Sequence, residues 1–192
     1  MNLDENIKNA FAVVKKTHEN IAKLIAYVRG VATDYGYAPL HSPEFLRWRS
    51  DAQSDGWCIN GFILLFQPTA ASECQSKNGW KDAPMYALEL NFYDEPRIYL
   101  YRLDYAINEW GNAKIGAGDH WQIYYTRCLK KDFFIEEKDG YTYSVPRDAR
   151  VKETYWKIRS SVSKKGTFTD ITRDNVKEKI FDVFDELAAI EL

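Results

Sequence analysis

The 192-residue chain predicts an α+β fold: a long N-terminal helix, a six- to seven-stranded, mostly antiparallel curved sheet, and a C-terminal helix. Three observations predict it. Apolar residues recur with helical period over 3–29, the pattern changes to period two over about 45–162, and helical period returns over 172–190. No internal repeat and no Pro-, Gly- or Ser-rich linker divides the chain, so residues 1–192 read as one domain.

In the first helix Ile7, Phe11, Val14, His18, Ile21, Ile25 and Val28 recur at alternating steps of four and three, which keeps them on one face. Asn2 is placed to cap it, Gly30 to stop it, and Glu19 to pair with Lys23. At 1.5 Å per residue such a helix is about 40 Å long, more than one small sheet covers. An overhanging end favours a homodimer through helix 3–29, or a bundle with the last helix.

Trp57 to Gln67 reads as a central strand, apolar on both faces between 62 and 66. Residues 67–82, with Pro68, Asn78 and Gly79, read as a surface loop. Met85–Tyr93 and Arg97–Asp104 form a hairpin through Asp94-Glu95-Pro96. Pairing Tyr93 with Arg97 puts Leu90 opposite Leu100 on the apolar face. Glu89, Asn91, Tyr93, Arg97, Tyr99 and Tyr101 then share the other. Asn108–Asp119 reads as a loop and Trp121–Arg127 as a strand. Asp139-Gly140 marks a two-residue hairpin between Phe133–Lys138 and Tyr141–Val145. Tyr155–Val162 suits a last strand or a short helix. Thr172 is placed to cap the final helix, with Ile171 and Val176 as its hydrophobic staple.

Composition excludes several classes of protein. Apolar residues at 45% and charged residues at 28% exclude a disordered or low-complexity chain. With 26 Lys+Arg against 28 Asp+Glu, the formal charge of -2 announces neither nucleic acid nor a membrane surface. No apolar run exceeds the five residues of Phe62–Phe66, far short of the roughly 20 residues a membrane span requires. No secretory leader pattern opens the chain, and Cys58, Cys74 and Cys128 form no C-x-x-C pair, so a reduced, cytoplasmic setting is expected. Cys58, in an apolar run, is expected to be a small buried hydrophobe.

No catalytic or cofactor signature is present: no nucleophile elbow, phosphate-binding glycine loop or dinucleotide fingerprint occurs. The histidines and cysteines lack metal-ligand spacing, so neither a metal nor a cofactor is expected. His18 reads as a hydrogen-bonded core or interface histidine and His41 as a loop residue. Glu136 and Lys138 share a strand face with Asp119 upstream, a faint echo of metal-dependent phosphodiesterases. The adjoining Asp139-Gly140 turn makes a solvated hairpin end the better reading.

What stands out is the aromatic content of 15%. Glu89, Asn91, Tyr99 and Tyr101 combine flat apolar area with few directional polar groups, as a pocket for a small molecule or peptide does. His120, after Gly116-Ala-Gly118-Asp119, and Trp121 are placed at its rim. A non-catalytic binding or sensor module is therefore the first expectation. An alternative is nucleic-acid binding by residues 146–165, whose seven basic residues outnumber two acids and are interleaved with Tyr155 and Trp156. Arg147, Arg150, Lys157 and Arg159 would carry it. A third is a protein–protein adaptor that dimerises through the first helix.

Overall fold

The computed structural model describes every residue except Met1, His41, 75–78, Asp94 and 112–113, and all side chains of those but that of Asp55. The expectations for His41, Asn78 and Asp94 lie outside the described residues. Helix α1 runs Leu3–Val31, 29 residues, with Asn2 Oδ1 accepting the Asp4 N–H at 3.1 Å. It continues through Gly30, and Glu19 pairs with Lys16 rather than Lys23. Strands follow at β1 (Tyr37–Pro39), β2 (Gly61–Pro68), β3 (Met85–Asn91) and β4 (Arg97–Tyr105). After the short helix α2 (Trp121–Tyr124) come β5 (Phe133–Lys138) and β6 (Tyr141–Pro146). Helix α3 (Ala149–Thr154) leads to β7 (Ile158–Thr167). The chain ends in one wide helical turn, Lys177–Phe181, that runs into α4 (Asp182–Ala188).

All seven strands join one antiparallel sheet in the order β1-β2-β3-β4-β7-β6-β5. Period-two alternation sorts the side chains into two cores. Phe62, Leu64 and Phe66 face Ile21, Ile25 and Val28 of α1 and Ile180, Phe184 and Leu187 of the last helix. Ile63 and Leu65 lie in the opposite core with Leu46, Trp80, Trp110, Ile123 and Tyr155. Both faces are covered, which is why β2 and β3 are buried almost throughout.

Several boundaries differ from the sequence reading. Strand β2 begins at Gly61, so Trp57 is 71% exposed and Cys58 is exposed rather than buried. In the β3–β4 hairpin Arg97 pairs with Asn91 and Leu90 with Ile98, two residues away from the expected register. A two-residue slip leaves every side chain on its expected face, so burial alone does not distinguish the registers. Trp121–Arg127 is helical, not a strand: α2 passes into a 3-10 turn at Tyr125–Arg127. Gln122, Ile123 and Thr126 form its buried stripe, a helical spacing that its β-favouring aromatics mask. Thr172 does not cap the final helix. Its N–H donates to Asn175 Oδ1 at 2.8 Å in a turn, and helix begins only at Val176. The Asp139-Gly140 turn forms as expected, with φ of 53° and 83°, the left-handed pair that matches strand twist.

Two residues of α3's exit, Trp156 and Lys157, also adopt left-handed backbone, at φ 53° and 60°. The surroundings hold them there. Trp110 Nε1 donates to the Trp156 carbonyl at 2.6 Å and the Ala106 N–H to that of Lys157 at 3.0 Å.

Candidate functional site

Strands β3 and β4 carry Glu89 and Tyr101 onto the face away from α1. There the 2% exposed Glu89 and fully buried Tyr101 need polar partners. Tyr101 OH donates to Glu89 Oε2, and Asn91 Nδ2 donates to Glu89 Oε1 at 2.7 Å. Arg127, from the turn after α2, completes the network. Its Nη2 donates to Glu89 Oε1 at 3.0 Å and its Nε to Tyr101 OH at 2.7 Å. Burial works against the charged guanidinium, but Tyr101 and Glu89 outweigh it and hold the Arg127 pKa above its ordinary range. Burial, and then the charge of Glu89, push the Tyr101 hydroxyl well up.

The Arg127 guanidinium lies over the rings of Tyr99, 3.8 Å from the centroid, and Tyr124, at 4.6 Å. Tyr124 is the link to the surface. Together with Trp48, Gln53, Tyr93, Gly118, His120, Trp121 and Tyr125 it lines an open groove of about 430 Å³. The segment that brings in Trp48 is tied down on both sides. Leu46 bridges to Ile63 of β2, and the Arg47 N–H donates to the Ala117 carbonyl at 2.7 Å. Gln53 stands on a turn in which Ser50 Oγ accepts its N–H at 3.2 Å. At Gly56 a Cβ would come within 2.5 Å of the Ser50 backbone, so this turn requires glycine.

The groove's rings are inclined to one another. Tyr93 and Tyr124 make 56°, Tyr124 and Tyr125 63°, and Trp121 and Tyr125 54°. None of the lining residues is an acid, a lysine or an arginine. At His120 Nδ1 is 3.2 Å from the Gly118 carbonyl, and since a carbonyl only accepts, Nδ1 carries the proton. Burial lowers the His120 pKa against the opposing pull of that carbonyl, so the ring is neutral at pH 7 and Nε2 is an acceptor.

The six residues singled out in the sequence thus fall into two layers. Glu89, Asn91 and Tyr101 are buried support, Tyr99 is half-buried beneath Arg127, and His120 and Trp121 line the groove. Sequence reasoning missed Arg127, Trp48, Tyr124 and Tyr125. Glu89, the one charged residue of β3, signalled that some cation had to reach it, but no spacing said which.

Two of the four basic residues of the alternative reading have partners within the chain. Arg147 donates to the Lys130 carbonyl and lies over the Phe134 ring, and Lys157 pairs with Glu109 and Glu153. Arg150 and Arg159 are exposed. Of the faint phosphodiesterase set, Asp119 Oδ2 accepts the Gly116 N–H at 2.6 Å, and Glu136 and Lys138 are exposed on β5. His18 makes the hydrogen bond expected of it, Nε2 to the Ile59 carbonyl at 2.8 Å. Among the described residues no helix is long and apolar enough to cross a membrane.

No family model, curated protein or solved structure matches this chain.

Proposed function

We propose that the chain is a non-catalytic binding module whose aromatic groove takes an uncharged small molecule or a peptide. The observation that carries this reading is the convergence of Trp48, Tyr93, His120, Trp121, Tyr124 and Tyr125 on one open, charge-free groove. Aromatic walls supply contact area at low entropic cost, and His120 Nε2, Gln53 and the tyrosine hydroxyls supply direction. The Glu89–Arg127 network beneath holds Tyr124 and Tyr99 in place, so ligand binding need not order the groove's floor.

The test is native mass spectrometry of the purified protein followed by a fluorescence titration with any retained ligand. Trp121→Ala is expected to weaken binding at least about tenfold, the loss of one large aromatic contact, and to lower the unfolding midpoint as well, since its ring also packs on Tyr155. A ligand held equally well by Trp121→Ala and Trp48→Ala would overturn the reading.

A second reading, that α1 joins two copies of the chain, has its own observation. Every residue from Asn2 to Thr17 is exposed, with Leu3 at 70%, Ile7 at 49% and Phe11 at 72%. An isolated helical segment of this length is marginal in water, and an apolar stripe on it gains by being covered.

A further inference from the structure

We infer that the first four turns of α1 pair with those of a second copy antiparallel, around a two-fold axis passing near Asn9; this rests on the reading that α1 joins two copies. The apolar stripe of the overhang repeats at 3.5 residues through Ile7, Phe11, Val14 and His18, the spacing of a two-helix seam. From His18 onward that seam is occupied by the chain's own sheet, beginning with the bond from His18 to Ile59. The part left for a partner is therefore Leu3–Thr17, about 22 Å long.

Two features choose the direction. A parallel pair would bring both sheet bodies to the same end of the seam, where they compete for the same space. An antiparallel pair sends them to opposite ends. With the axis near Asn9, Ile7 meets the partner's Phe11 and Leu3 reaches the level of the partner's Lys15, just short of the partner's sheet. The uncovered length and the overlap therefore agree.

Charge makes the same choice. Asp4 takes the seam position before Ile7, at the open end of the stripe and toward the edge where Lys15, eleven residues on, projects within about 20° of it. In an antiparallel pair that edge faces its own copy, and each Asp4 lies beside the partner's Lys15. A parallel pair sets this edge against the opposite one, where Leu3, Ala10 and Thr17 carry no charge. Lys8 shares the charged edge near the axis and meets its own copy, a like-charge contact that the two Asp4–Lys15 pairs have to outweigh.

Analytical ultracentrifugation of charge variants tests the arrangement. Asp4→Lys and Lys15→Asp are each expected to weaken the dimer about tenfold, as two attractive rim pairs become repulsive. Mixed in equal amounts, the two variants are expected to recover the wild-type constant, because the heterodimer restores both opposite-charge pairs. Loss of helix at the N-terminus, the other way Asp4→Lys acts, is not cured by mixing. A mixture no tighter than either variant alone overturns the antiparallel register, while a wild-type dimer that Phe11→Glu breaks leaves the broader pairing intact. A wild-type chain that stays monomeric at high concentration overturns both.

Discussion

Glu89 and Arg127 are 38 residues apart in the chain, and their side chains meet at 3.0 Å in the interior. Each is there only because the other is. The carboxylate sits on a strand whose face is otherwise Met85, Ala87 and the uncharged Asn91, and the guanidinium hangs from a turn after a four-residue helix. One wall of the groove rests on this contact, since the same guanidinium braces Tyr124 from behind.

Removing one partner strands the other's charge in low dielectric. Glu89→Ala is expected to cost about 3–5 kcal/mol, with Arg127 and Tyr101 both left short of an acceptor. Glu89→Leu combined with Arg127→Met is expected to recover most of that loss. Urea midpoints of the single and double variants measure it, and additive losses would count against the pairing.

Tyr105 offers the opposite case. Among the described residues its buried hydroxyl has no hydrogen-bond partner, and burial drives its pKa far upward. The ring packs on Trp110 at 5.2 Å, and Phe preserves that contact. Tyr105→Phe is expected to stabilise the protein by about 1 kcal/mol, read as a higher unfolding midpoint. A loss of stability would mean that the hydroxyl has a partner after all.

His120 makes stability pH-dependent with a definite sign. Its pKa is lowered by burial in the folded protein, so the unfolded chain binds the proton more readily. The contribution is complete above the unfolded value of about 6.5 and is lost as pH falls through the folded one. His120→Gln is therefore expected to flatten the loss of stability between about pH 7 and 5. Denaturant midpoints across that range report it, and parallel curves would rule it out.

On the proposed pairing, the first turns of α1 serve association and not the fold. Phe11→Glu is expected to leave the thermal midpoint of the monomeric state unchanged, since Phe11 touches neither core. Sedimentation of the same variant is expected to show monomer alone. A drop of several degrees in the monomer's midpoint would place Phe11 in the fold.

Residue by residue, the sequence carried the architecture further than the site. Ile21, Ile25 and Val28 announced the buried half of α1, and the alternation of β2 announced a sheet covered on both faces. The β3–β4 hairpin shows where this ends. Period two assigns Leu90 and Glu89 to opposite faces, yet it is blind to a two-residue slip, and Asn91 took the place expected for Tyr93. Trp121–Arg127 reads as a strand because Trp, Tyr and Thr favour strands, while three buried positions at helical spacing are too few to outvote them. That reading hides Arg127, which reaches Glu89 only from a helical turn. His120 and Trp121 stayed legible because the glycines before them forced a loop at the surface.

The place of β7 between β4 and β6 governs the order in which the molecule is made. In the finished sheet β2, β3 and β4 pair as a meander and β5 with β6 as a separate hairpin, each from neighbours in sequence that leave the ribosome before β7 does. Neither joins the other until Ile158–Thr167 has emerged. Until then β4 and β6 each expose a row of unpaired backbone groups, open to any other nascent strand nearby. The last strand is thus the clasp, and a chain truncated before it presents two sticky half-sheets in place of one domain.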